Sequence, residues 1–600
     1  MTAQDPPRVG HPLDPLTADE ITRVATILRA RPGLGQRVRF NTIILREPTR
    51  AELAAHASGG TVEREALAIV LDNDTGTTAE AIVSLDRGTI TSWQEIPGVQ
   101  PSITIDEFID CEALCKADPQ WQAAVRRRGV TDFDLCMVDP WSNGHYGNAE
   151  DSQLRLVRAL TWVRASPLDN GYARPIENLI TVVDLNAMRV VRVEDGEVVP
   201  LPPSDANYTE EAVGTIRADL KPIEITQPEG PSFQVDGHEV RWQKWSFRIG
   251  FNAREGLTLH TIAYQDGDRL RPIMHRASIC DMVVPYGDPR PHYNRRNAFD
   301  HGEYGVGMYT NSLTLGCDCL GEIYYLDAVL NDTRGNPIIV PNAICMHEED
   351  YSILWKHTDL RTGAVEVRRS RRLVVSLIAT VGNYEYGFYW YFYQDGMIEL
   401  EIKMSGVLSN GATELDAEPP KWGTIVAPGV YAPIHQHFFC ARLDMTLDGP
   451  TNAVYEMNTV AEQPGPNNPL QNGFYEAATL LERESAAQRT INPLSARSWK
   501  IVNRDARNGL GQVPGYRLLP GDNVLPFAAD GASILKRAAF MTKHLWVTKY
   551  DPRERFATGD YPNQHPGGAG LPAYVRQDRP IVDDSIVVWY TFGAHHTPRP

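Results

Sequence analysis

The sequence predicts small α+β amino-terminal domains followed by one large all-β sandwich, and three observations carry that assignment. A capped helix followed by strand-like runs occurs twice before residue 200, and helical periodicity nearly vanishes beyond residue 220. In that later region, runs rich in Val, Ile, Tyr, Phe and Trp alternate with Gly/Pro/Asn/Asp turns. With 600 residues, 42% hydrophobic and 22% charged, the chain has the size and balance of a multi-domain globular protein.

The first unit, residues 11–97, opens with a helix. Thr17 and Glu20 make a capping box, Leu16 and Ile21 can staple the entry, and Ile21, Val24, Ile27 and Leu28 share one apolar face. Strand-like runs follow at 38–45, 65–72 and 79–93, the last broken by the turn "DRG" at 86–88. The second unit, residues 98–207, repeats this order. Its helical part is "DEFIDCEALCKADPQWQAAVRRRG", with Asp118 capping, Pro119 in the first turn and Gly129 as the stop. Strand-like runs near 132–137, 154–164 and 178–193 complete it, so the two units read as a duplicated module. The linker "PLPPSDANYTEEAVG" leads into the sandwich, 208–600.

A formal charge of -18 without a Lys/Arg run argues against a nucleic-acid partner; "RRRG" at 126–129 reads as a helix end and "RRSRR" at 368–372 as an exposed hairpin. The amino terminus, "MTAQDPPRVGHPLDPL", has no basic segment followed by an apolar core, and no run long enough to span a membrane occurs. A cytoplasmic location with no membrane partner is therefore expected. Eight cysteines without a repeating spacing do not form a secreted disulfide framework, and "CDC" at 317–319 lacks a zinc-type partner.

The chemistry-bearing residues lie in the sandwich. In "IHQHFF", 434–439, period-2 alternation puts His435 and His437 on one strand face, about 7 Å apart along the chain. "FGAHHTP", 592–598, offers a third imidazole from His595 or His596, between which spacing does not choose. Three imidazoles with open positions suit copper or zinc. In "ATVGNYEYGFYW", 379–390, Asn383 and Glu385 flank Tyr384 inside an otherwise apolar run. A tyrosine beside copper and oxygen can be oxidised, which gives this interruption a purpose beyond packing.

These segments resemble the copper-containing amine oxidases, in particular bacterial members that act on phenylethylamine, histamine or tyramine. The family's T-x-x-N-Y-[DE] signature matches Thr380 to Glu385, H-x-H matches His435 and His437, and T-F-G-x-x-H-x-P places the third histidine at His596. "FDHGEY" at 299–304 and "VPYGDP" at 284–289 match two further motifs, and "QPEGPSF" and "GCDCLG" are similar to family segments. The resemblance implies copper(II) on His435, His437 and His596, and Tyr384 self-processed to topaquinone. It implies Asp300 as the catalytic base, Tyr286 hydrogen-bonded to the quinone, and Asn383 restraining the ring. The implied reaction is oxidative deamination, RCH2NH2 + O2 + H2O to aldehyde, NH3 and H2O2, with aromatic monoamines as expected substrates. Ala298 is expected to line the substrate channel, sharing a face with Asp300 in an extended segment.

The resemblance also implies a disulfide between Cys319 and Cys345 and a homodimer with hairpin arms, for which "DLRTGAVEVRRSRRL" at 359–373 has the character. Other members carry a second, calcium-like site built from D-[LM]-D and a later aspartate. Here Asp444 and Met445 are present, with Ile586 beside the later position, but Thr446 and Ser585 stand where carboxylates are expected. Two missing carboxylates weaken a hard-cation site, unless Asp584 or Asp448 compensates. Relatives continue past the third histidine, so the strand edge near His596 is expected to be less protected. Two other readings compete: a catalytically inactive copper-binding β-sandwich, and a three-histidine zinc hydrolase, which leaves Tyr384 unexplained.

Overall fold

The computed structural model describes residues 10–148, 151–418 and 420–600; the expectation about a leader segment falls mostly on residues 1–9, outside them. In the first unit, helix Ala18–Arg29 lies against an antiparallel sheet of strands Val38–Leu45, Glu65–Asp72, Thr77–Ser84 and Thr89–Ile96. The capping box forms: the Glu20 amide donates to Thr17 Oγ1 at 3.2 Å and the Thr17 amide to Glu20 Oε2 at 2.8 Å. Ile21, Val24, Ala25 and Leu28 are buried, while Ile27 packs only at the margin of that core. A second helix, Arg50–Ala57, has its own capping box of Thr49 and Glu52 but buries no residue. Without an apolar stripe it left no periodic signal in the sequence.

The second unit repeats the plan with helices Ile105–Ala117 and Pro119–Arg127 against four antiparallel strands, Cys136–Ser142, Leu156–Val163, Pro175–Asp184 and Arg189–Asp195. Asp118 separates the helices, its carboxylate accepting from the Gln120 and Trp121 amides at 2.9 Å.

The remainder is built on two facing sheets. One has nine strands and includes Trp245–Asn252, Arg269–Pro285, His435–Met445 and Ile586–His596; the other has five, including Val365–Val381 and Tyr384–Tyr393. Their inner faces share one apolar core, in which Phe247 of the first stacks on Phe392 of the second at 4.5 Å between centroids. Strands Pro337–Thr358 and Val365–Val381 extend as a long hairpin that turns at 359–364 and exposes Tyr351, Ile353, Leu354 and Trp355 along its first strand. The sulfur of Cys345, in the five-stranded sheet, and that of Cys319, beside it, meet at 2.6 Å in a buried cluster as thiols, not as the disulfide that the resemblance implied.

The outer edge of strand Ile586–His596 is covered as far as Gly593. Strand Leu545–Lys549 pairs with Ile586–Tyr590, and beyond it the Thr591 amide donates to the His544 carbonyl at 2.7 Å. The Gly593 amide then donates to Asn523 Oδ1 at 2.9 Å.

Candidate active site

Antiparallel pairing sets His435 opposite His596, and the period-2 pleat puts His437 on the same face as His435. The ligand nitrogens of the three all lie within 4.8 Å of one another. His435 Nδ1 donates to the Pro433 carbonyl at 2.9 Å, which fixes its tautomer and leaves the Nε2 lone pair facing the cluster. His596 Nδ1 comes within 3.1 Å of that same Nε2. Burial lowers all three imidazoles, His435 to about 4 and His437 well below its ordinary value, with neighbouring imidazoles adding to the effect. Three neutral, convergent nitrogen donors fit a copper ion and suit no oxygen-preferring cation.

The adjacent pair at the strand end is resolved by orientation. His595 is exposed, packing edge-on against Phe527 and touching Thr597, whereas His596 faces His435 with ring centroids 4.6 Å apart. Copper content after reconstitution should therefore fall far below one per chain in His596→Ala and stay at the parent level in His595→Ala. The reverse pattern would reassign the third ligand.

Tyr384 enters this cluster from the opposite sheet. Val381 and Tyr384 face each other across a two-residue hairpin turn, and Gly382 at its first position has φ +60°, the left-handed region that glycine tolerates. The turn delivers the Tyr384 hydroxyl to His435 Nε2, into which it donates at 2.9 Å. Tyr286 bridges to His435 and stacks on its ring at 4.8 Å, and burial lifts the Tyr384 phenol to about 12. Glu385 points to the other face, where it accepts from Thr380 Oγ1 at 2.9 Å and Asn311 Nδ2 at 3.2 Å. Asn383 lines the cavity, but its amide donates to the Val407 carbonyl at 2.6 Å. That bond holds the turn to the residue that follows the neighbouring strand Ile398–Gly406.

Asp300 and Ala298 line the same cavity as Tyr384 and Tyr286. Asn297–Ala298 is extended and Ala298 pairs with Val284, but Asp300 begins a wide turn, Asp300–Tyr304, of π-helical form rather than continuing the strand. Glu303 locks the turn: its carboxylate accepts from the Phe299 amide at 3.1 Å and pairs with Arg537 at 2.6 Å, both partners buried. A Cβ at Gly302 would stand 2.2 Å from Pro562 Cγ, so the turn packs only with glycine there. Burial, with the nearby Glu303 charge, pushes the Asp300 carboxyl up to about 8, a value suited to a proton acceptor near neutral pH.

The second unit closes the cavity, a contribution the sequence did not signal. Phe108 and the segment Asp139–Trp141 form part of its wall, with Tyr304 and Tyr309 beside them. Trp141 meets Tyr286 edge-on at 5.8 Å, and Asp139 accepts from Tyr172 at 2.8 Å. In sequence these residues read as ordinary strand and helix positions, because nothing local marks a face that another domain will cover.

The residues weighed for a second cation lie elsewhere. Asp444, Met445 and Ile586 sit at the far end of the strands that carry the histidines, and Asp444 and the Met445 carbonyl accept from Arg50.

Comparison with known proteins places these features in a family. Residues 234–600 match the copper amine oxidase enzyme domain, 106–211 the copper amine oxidase N3 domain and 17–93 the AGAO-like N2 domain. A primary amine oxidase of Arthrobacter sp. (strain P1) is 48% identical over 594 residues, covering 98% of this chain and 90% of the relative. A histamine oxidase of Arthrobacter globiformis is 45% identical over 611 residues, covering 100% and 88%. The crystal structure of a copper-containing benzylamine oxidase from Hansenula polymorpha aligns with a TM-score of 0.91 at 31% identity, covering 98% of this chain and 95% of that one.

Proposed function

The chain belongs to the copper amine oxidase family and is a copper-dependent oxidase of primary amines; from that premise we propose that Tyr384 is the precursor of a topaquinone cofactor and that aromatic monoamines are the substrates. The observation that carries the reading is the Tyr384 hydroxyl, 2.9 Å from His435 Nε2 inside a three-histidine cluster. Bound copper(II) supplies the one-electron chemistry that oxidises a phenol ring with O2, and a quinone supplies a two-electron acceptor for the amine.

The chain's own residues do the rest. Asp300 takes the proton from the carbon next to the amine nitrogen, the buried Tyr286 hydroxyl stands ready as a donor, and the Glu303–Arg537 pair keeps the base in place. Phe108, Trp141 and Tyr309 offer apolar and aromatic walls to an arylalkyl chain. Ala298 leaves room where a larger side chain would narrow the approach. Accordingly, Ala298→Tyr should lower kcat/KM for tryptamine most and for methylamine least, by about 1–3 kcal/mol of overpacking at the upper end. Equal losses for all amines would remove residue 298 from the channel.

The test of the cofactor is direct: Cu(II) added aerobically to metal-free protein should generate a visible quinone band that phenylhydrazine titrates. A colourless protein that still produces peroxide from amine would refute the assignment. An inactive copper-binding sandwich would have no use for both the intact Tyr384 motif and a buried Asp300. The exposed apolar side chains along the long hairpin, Leu354 and Trp355 among them, support a homodimer in which this arm packs on a partner subunit. Sedimentation as a monomer at micromolar concentration would rule that out.

A further inference from the structure

We infer that Arg50, from the first unit, is a built-in cation standing where a second divalent ion would otherwise sit, so that this oxidase holds copper alone. Arg50 is the first residue of helix Arg50–Ala57, and its guanidinium reaches into the sandwich. One nitrogen, Nη2, donates to Asp444 Oδ1 and to the Met445 carbonyl at 3.0 Å; the other, Nη1, donates to Ser585 Oγ at 3.1 Å. The cation also lies over the Tyr550 ring, 4.4 Å from its centroid. The set that an ion would need, a carboxylate and a carbonyl on one strand and an oxygen at the start of the next, is thus already satisfied by one planar donor fork.

Charge and ligand count point the same way. A calcium ion takes six to eight oxygens, usually with several carboxylates among them. Asp444 is the one carboxylate that Arg50 meets among the described residues, with Arg442 4.0 Å from its other oxygen, and threonine and serine stand at 446 and 585 where carboxylates were expected. The two acidic residues that could have compensated are engaged: Asp584 pairs with Lys549 at 2.7 Å, and Asp448 holds Arg271 through both oxygens at 2.7 and 2.8 Å. A divalent ion would have to share Asp444 with two guanidinium groups, against their repulsion.

The substitution changes the fold's wiring as well. An ion would tie together strands of the sandwich only, whereas Arg50 ties the first unit to the strand pair in which His435 faces His596 at the other end. The inference uses the family membership but not the topaquinone proposal, and its test reads metal and stability rather than turnover.

The copper-loaded full chain, equilibrated with millimolar calcium or manganese and then gel-filtered, should contain copper and no stoichiometric second metal by mass spectrometry. Its melting temperature should not respond to calcium. The triple variant Arg50→Ala, Thr446→Asp, Ser585→Asp, which removes the guanidinium and restores carboxylates, should take up about one calcium per chain and melt higher in its presence. Stoichiometric calcium in the parent would overturn the inference, as would a folded triple variant that binds none. If that variant does not fold, the parent's metal content and its melting response still decide the matter.

Discussion

Tyr384→Phe should abolish amine-dependent peroxide formation while leaving copper bound at the parental level. Phenylalanine keeps the ring in the hairpin position between His435 and His437, with packing nearly unchanged, because the Tyr384 ring already sits 5.7 and 5.3 Å from theirs. What disappears is the hydroxyl that donates to His435 Nε2. A hydrocarbon ring has no proton to lose and no oxygen to coordinate, so the oxidation that introduces further ring oxygens has no starting point. The measurements are copper content, the visible spectrum after aerobic copper addition, and peroxide release with 2-phenylethylamine. The expected result is full copper, no quinone band and peroxide at background. Peroxide above trace would mean that the redox group is not made from Tyr384, whatever the family pattern implies.

The site's position was readable because its parts are local. An H-x-H pair on a strand follows from the period-2 pleat, and the polar residues flanking Tyr384 stand out against an otherwise apolar run, both without knowledge of the rest of the fold. The glycine turn that delivers Tyr384 came from the structure. Which of His595 and His596 joins the cluster was not local. It depends on the strand register that sets His596 opposite His435, and a one-residue slip would exchange the two. The π-helical turn at Asp300 was illegible for a similar reason: Asn297 to Asp300 read as extended, and the turn that begins at Asp300 is stabilised by Arg537, which lies 234 residues from Glu303.

Arg50 and the wall formed by Phe108 and Trp141 show the wider limit. In the sequence, Arg50 opens a helix with no apolar face, and Thr446 and Ser585 signal only missing carboxylates. The substitution of one cation for another appears only when the domains are docked. The fold class was easier to read than these contacts because capping boxes and alternating strands are repeated signals, each needing only a few consecutive residues.

Asp300→Asn should leave copper binding and quinone formation intact but slow reduction of the quinone by amine at least about a hundredfold, the lower range for removing a general base. The amide is nearly isosteric with the carboxyl and is neutral, as the carboxyl is below its raised pKa, so the buried turn has no new charge to accommodate. It cannot accept the proton. In the parent, burial and the Glu303 charge hold the Asp300 carboxyl at about 8, so the competent, ionised form is the minority at neutral pH and grows as pH rises. Stopped-flow decay of the quinone band after mixing with 2-phenylethylamine should accelerate with pH through that region and level off above it. In Asp300→Asn the slow residual decay should lose this dependence. The pH profile separates proton acceptance from a merely structural role, because a distorted site would slow decay without flattening its response to pH. Parental decay rates in the variant, or an undiminished pH response, would take Asp300 out of the proton transfer and leave the Asp300–Tyr304 turn with a packing role alone.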